Sequence, residues 1–186
     1  MMIDLPFLGD RKYVQGPTIV DMVLRELQPG FPLDIRFQAP ILGSLEVREN
    51  PAEKANVAIA FKKDGIRRSY GIFDAGHGNL NNRLPYDESK IARDFSIHGR
   101  SIEWTSPTDF SAISIAVLMN KVLVGHVFPT AEGKWWFTRL YADSWPSKAS
   151  NIKLTFDGGL GTRFVRSVVH IDDQPTAKIY FTLSPA

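Results

Sequence analysis

Gly16-Pro17-Thr18-Ile19-Val20-Asp21-Met22-Val23-Leu24-Arg25-Glu26-Leu27-Gln28 decides the fold. Ile19, Val20, Val23, Leu24 and Leu27 recur at the spacing of one helical face. Proline suits the first turn, where its fixed φ and missing N–H cost nothing, and Gln28-Pro29-Gly30 stops the run. The same signal returns at Ser106-Pro107-Thr108, ninety residues beyond Pro17, ahead of an apolar stretch that reads as a helix from about Thr108 to Met119. Short strand-like stretches, Lys12 to Gln15 and Ile102 to Thr105, precede the two. A helix followed by amphipathic strands, used twice, points to a duplication.

Working outward from the first helix, Leu33 to Ala39 and Leu45 to Glu49 read as strands flanking Pro40 to Ser44. Val57, Ile59 and Phe61 alternate with small or polar residues, Asp64-Gly65 supplies a tight turn, and Ile66 to Phe73 returns as a hairpin. From Asp74 to His98 the pattern dissolves into Gly, Asn, Pro and charge, with one helical turn near Asp87 to Arg93, so this stretch is a linker or a lid. Strands are expected at Val122 to Phe128, Trp135 to Ala142, Ile152 to Phe156, Arg163 to Ile171 and Ala177 to Leu183, with Asp172-Asp173-Gln174 as a turn. The expected organisation is a first unit over 1–74, a linker or lid over 75–98 and a second unit over 99–186.

Composition bounds the function. The chain has 186 residues, 44% apolar and 23% charged, enough to bury a sizeable core. A formal charge of +2 is no nucleic-acid signature. The absence of cysteine excludes disulfides, thiolate catalysis and cysteine-ligated metal. No window reaches membrane-spanning length, and Met1 to Leu8 lacks the basic and long apolar segments that export requires, so a cytoplasmic location is expected.

The layout of helix and then antiparallel strands resembles the hotdog superfamily. Leu33-Asp34-Ile35-Arg36-Phe37-Gln38-Ala39-Pro40-Ile41-Leu42-Gly43-Ser44-Leu45-Glu46-Val47 is similar to that superfamily's pattern of an aromatic, two residues, proline, then glycine before a strand. Phe61-Lys62-Lys63-Asp64-Gly65 resembles its central hairpin, and Thr138-Arg139-Leu140-Tyr141-Ala142 occupies in the second half the place of Ile35 to Ala39 in the first, with Asp143 replacing the proline. The resemblance is specific over 16–65 and covers most of the chain as layout. It implies an α+β double hotdog: two helices, each wrapped by antiparallel strands, with the sheets joined edge to edge. The implied relatives are acyl-CoA and acyl-carrier-protein thioesterases and 3-hydroxyacyl dehydratases. An ordinary sandwich or open barrel packed by two helices is the plainer alternative.

An acyl thioester needs a group to stabilise its carbonyl oxygen, and the free N–H groups at a helix N-terminus meet that need. By the resemblance Gly16 and Thr18 are candidates, although glycine there serves equally as a turn residue. Gly16 to Asp21 also resembles the proline, three residues, aspartate element of dehydratase domains. Their partner histidine would be His98, nine residues before Pro107, with Ile102 standing where glycine is expected and the two elements reversed in chain order. A His98–Asp21 pair would remove an α-proton and protonate a departing hydroxyl. Taken alone, on helix-surface grounds, Asp21 reads as an exposed partner of Arg25 at i+4.

Hydrolysis needs instead a carboxylate or polar group that holds water, for which Asp21, Asp109, Ser111 and Thr108 are candidates. Tyr13 and Gln15, standing where many thioesterases carry histidine and asparagine, would orient water or substrate. Asp109 and Thr108 serve equally as helix-dipole partner and cap. His77, His98, His126 and His170 share no ligand spacing, so no metal and no cofactor is expected. Asp157-Gly158-Gly159-Leu160-Gly161 reads as a hairpin turn, and Lys62-Lys63 with Arg67-Arg68 either meets coenzyme A phosphates or is a solvated turn.

These readings favour an acyl-thioester enzyme that hydrolyses an acyl-CoA or acyl-carrier-protein thioester. Dehydration or hydration of a 3-hydroxyacyl thioester by Asp21 and His98, and a non-catalytic acyl-binding or assembly module, are the alternatives. The expected partners are acyl-CoA or an acyl carrier protein, with no nucleic acid and no membrane. Exposed hotdog sheet edges favour further association as a homodimer.

Overall fold

The computed structural model of the chain describes residues 1–76, 82–106, 109–146, 149–161 and 163–184. Contacts divide the chain into two compact units, Met1–Asp87 and Glu88–Ala186. The class is α+β, with a mainly antiparallel sheet and few helices. Among the described residues no helix is long and apolar enough to cross a membrane.

The first unit opens with β1 (Met2–Ile3), β2 (Phe7–Leu8) and α1 (Gly16–Met22), which runs directly into a π-helical turn, Val23–Leu27. Pro29 disfavours helical dihedrals at the residue before it, and Gln28 closes the turn with a left-handed φ of 44°. Of the expected stripe Ile19, Val20 and Val23 are buried, Leu24 and Leu27 in the π-helical turn are half-buried, and Met22, outside the stripe, is buried as well. Next come β3 (Leu33–Phe37), β4 (Leu45–Glu49), β5 (Val57–Lys63), β6 (Ile66–Asp74) and β7 (Arg83–Leu84).

Within this unit the antiparallel order is β1-β4-β6-β5-β3, while β2 and β7 form a separate parallel pair. Period-two alternation puts Leu33, Ile35, Leu45, Val47, Val57, Ile59, Phe61 and Ile72 in the core. The β5–β6 hairpin turns where expected, because Asp64 and Gly65 both adopt the positive φ (52° and 78°) that a two-residue turn demands. Lys12 to Gln15, read as strand-like, forms no strand. Val14 N bonds Ile41 O (2.9 Å) and Gln15 O accepts from Ile19 N (3.1 Å) within the start of the helix, which makes no ladder.

The second unit holds α2 (Glu88–Ala92), β8 (Ser96–His98), β9 (Ser101–Trp104), α3 (Ala112–Val127), β10 (Lys134–Ala142), β11 (Ile152–Leu160), β12 (Phe164–Ile171) and β13 (Gln174–Ser184). Its sheet order is β10-β13-β12-β11-β9-β8, antiparallel throughout. Helix α3 packs on β9, β11 and β12.

Two expectations are corrected here. Val122 to Phe128 is not a strand, since α3 continues to Val127. Leu118, Met119, Leu123 and Val124 extend its buried stripe while Lys121, Gly125 and His126 face outward. A short apolar run rich in valine cannot be told from a buried helix segment by periodicity alone. The glycine-rich stretch from Asp157 is not itself the turn either, because β11 runs through it to Leu160. The register slips between Phe156 and Gly158, and a Cβ on Gly159 would sit 2.0 Å from Phe164 O, so glycine there permits close strand approach across a bulge.

Candidate functional site

The residues ahead of α1 are held by a chain of polar contacts. Arg83, on β7, donates through Nη1 to Gly9 O (2.7 Å) and Arg11 O (3.1 Å). The parallel β2–β7 pairing brings it there. Arg11 in turn lies over the Tyr86 ring, 5.2 Å from its centroid, and, with the Gln15 amide assigned so that its oxygen faces the guanidinium, donates to that oxygen through Nε (2.9 Å) and Nη1. Gln15 is 7% exposed. A buried amide oxygen without a donor costs about 1–3 kcal/mol, and the guanidinium removes that cost.

Gln15 stands at the N-cap of α1 in extended conformation (φ −72°, ψ 146°), and its side chain caps nothing. Its carbonyl accepts from Ile19 N at 3.1 Å. The N–H groups of Gly16 and Thr18 belong to the first turn and have no intrahelical acceptor, while Pro17 has no N–H to offer. Gly16, Thr18 and Tyr13 are half-buried, as is Asp21, one turn further along. Arg25, the i+4 residue, pairs with Glu26 at 2.7 Å, and Asp21 has an interaction of its own. The π turn that follows at Val23 is a helix irregularity of a kind frequent at functional sites.

The remaining candidates belong to the second unit. His98 is exposed at the end of β8, where it pairs in register with Ser101. Asp109 is exposed, two residues ahead of the cap of α3. That cap is Ser111, whose Oγ accepts from Ser114 N at 3.3 Å. The helix thus begins at Ala112 with Ser111 as its cap, and Asp109 lies ahead of a first turn that carries no acidic residue. Pro107 and Thr108, including Thr108 as a candidate binding residue, lie outside the described residues, as does His77. Among the described residues no three His, Asp, Glu or Cys side chains converge as a metal would require.

Sequence reasoning passed over Arg11, Arg83 and Tyr86, whose contacts span up to seventy-four residues of chain. It also passed over Asn120. This side chain is 0% exposed within α3, and neither its Nδ2 nor its Oδ1 has a hydrogen-bond partner. One asparagine in the apolar run from Ile113 to Val124 was the available signal. Ser167, 0% exposed on β12, likewise has an Oγ without a partner.

No protein-family model matches the chain, and no curated protein matches it. Solved structures do. A provisionally assigned thioesterase II from Thermobifida fusca YX has a TM-score of 0.53 at 10% identity, over 98% of this chain and 91% of its own. A pyran synthase domain from module nine of the sorangicin pathway gives 0.51 at 11% identity, over 100% and 92%. A bifunctional dehydratase-cyclase domain in ambruticin biosynthesis gives 0.50 at 12% identity, over 93% and 83%.

Proposed function

The chain has the hotdog fold, and on that premise we propose that it is a double hotdog that hydrolyses an acyl thioester carried by coenzyme A or an acyl carrier protein. One observation carries the reading: helix α1 starts from a buried Gln15 with no side-chain cap on its first turn, and a half-buried carboxylate, Asp21, follows one turn later. Backbone N–H groups of Gly16 and Thr18 polarise the thioester carbonyl, favoured by the positive end of the helix. Asp21 holds a water and accepts its proton as the water oxygen bonds to the carbonyl carbon. The tetrahedral intermediate then collapses, the C–S bond breaks, and the proton passes to the leaving sulfur, giving a carboxylic acid and a thiol. Tyr13 and Gln15 orient substrate or water.

The exposure of His98 supports hydrolysis over a dehydration that needs its imidazole beside Asp21. The test is a panel of acyl-CoAs assayed for free thiol, run beside 3-hydroxyacyl-CoAs assayed for dehydration. Thiol release that falls in Asp21→Asn supports the proposal. Dehydration lost in both Asp21→Asn and His98→Ala replaces it with the dehydratase reading. Tight acyl-CoA binding with neither product leaves a non-catalytic module.

A further inference from the structure

A second site lies on the first unit, on the sheet face that carries Ala60, Lys62 and Arg67. A groove of about 380 Å³ is lined there by Pro32, Ala60, Phe61, Lys62 and Arg67. Lys62 and Arg67 are direct cross-strand partners in the β5–β6 hairpin. Like charges set opposite one another destabilise a hairpin. Both side chains are exposed, and among the described residues neither has an acidic partner.

The surrounding charges do not answer them. Asp34 lies opposite Ala60 on β3, but its carboxylate is taken by Arg36, through Nε at 3.0 Å and Nη2 at 2.7 Å. Glu49 is held by Arg68 at 3.2 Å. Lys63 donates instead to Gln28 O at 3.1 Å. The base of the groove is fixed as well. A Cβ on Gly30 would lie 2.0 Å from Lys62 O, so glycine lets the segment leading to Pro32 lie directly against the end of β5.

We propose that this groove binds a diphosphate group, free or as part of a nucleotide or coenzyme A. A planar guanidinium offers a bidentate fork to one phosphoryl group and an ammonium a point charge to the next. The volume exceeds what one phosphate fills, and the small Ala60 side chain leaves the face open. Only the coenzyme A form rests on the proposed thioester activity; diphosphate binding does not.

The experiment is titration calorimetry of the full chain with inorganic diphosphate, ADP, coenzyme A and pantetheine. Diphosphate, ADP and coenzyme A are expected to bind, with affinity falling as salt rises, and pantetheine, which lacks the diphosphate, is not. Coenzyme A binding tighter than ADP assigns the site to the thioester carrier, and equal binding assigns it to nucleotides in general. Lys62→Gln/Arg67→Gln is expected to weaken diphosphate roughly tenfold or more, whereas Lys90→Gln, on α2, leaves it unchanged. A melting curve establishes that the double variant is folded, and the single variants Lys62→Gln and Arg67→Gln stand in if it is not. Diphosphate that fails to bind, or binds the folded variants as well as the parent, overturns the proposal. Thiol release by the parent is measured separately, so the two proposals fail independently.

Discussion

The Arg11 guanidinium donates through Nε at 2.9 Å to the amide oxygen of Gln15, the residue from which α1 springs. This contact couples the start of the candidate site to β7, because Arg83 holds the backbone of Arg11 itself. Arg11→Met keeps the apolar stem and removes the donor. It is expected to destabilise the chain by about 1–3 kcal/mol and to lower thiol release further than stability alone explains. In combination with Gln15→Met the loss should be smaller than the sum, measured as a double-mutant cycle by denaturant titration. Additivity would show that the two side chains act separately.

Asn120 gives a prediction of the opposite sign. Its amide is fully buried and unpartnered among the apolar residues of α3. Leucine, of similar size, should stabilise the chain by about 1–3 kcal/mol, the order of the cost of burying an unbonded polar group. A rise in urea midpoint with unchanged slope is the expected result. A fall would mean that the amide is satisfied in solution by a buried water.

Asp172 sets an acid-sensitive point in the second unit. Its carboxyl is held below the usual value by the Ser150 hydroxyl first (2.6 Å), and then by the backbone N–H groups of Asn151 (2.9 Å) and Ser150 (3.0 Å). A depressed carboxyl stabilises the fold above its unfolded value, and that contribution is lost as pH falls through the folded value. Trp104, Trp135, Trp136 and Trp145 all lie in the second unit, so tryptophan fluorescence reports on it selectively. Acid titration should show the second unit of the parent losing stability below the ordinary aspartate range, with Asp172→Asn less stable at neutral pH and flatter across that interval. Parallel curves would contradict this.

The hairpin from Val57 to Asp74 was legible because burial alternates at period two from Val57 to Phe61 and an Asp-Gly turn follows at Asp64 and Gly65, whereas the returning strand does not alternate in burial. The helical stripe from Ile19 to Val23 was legible for the same reason at period 3.6. Val122 to Phe128 was not, since one buried face of a helix and a short buried strand present the same valines. Of the candidate site, the helix start at Gly16 could be read locally. The contacts of Arg11 and Arg83 could not, because they are made by chain segments far apart in sequence. Lys62 and Arg67 were visible as charges at a hairpin tip. That Asp34 is already engaged by Arg36, leaving them over an open groove, emerges from three dimensions alone.

The central claim is that the first turn of α1 with Asp21 hydrolyses a thioester. Its most direct test is the rate of free-thiol release from saturating acyl-CoA by the parent and by Asp21→Asn, with acyl-CoA affinity measured on both. The account predicts turnover by the parent, a loss of roughly 10²-fold or more in the variant, as for a positioned general base, and affinity changed little. Equal rates in the two proteins, or tight binding by the parent with no thiol released, would contradict it.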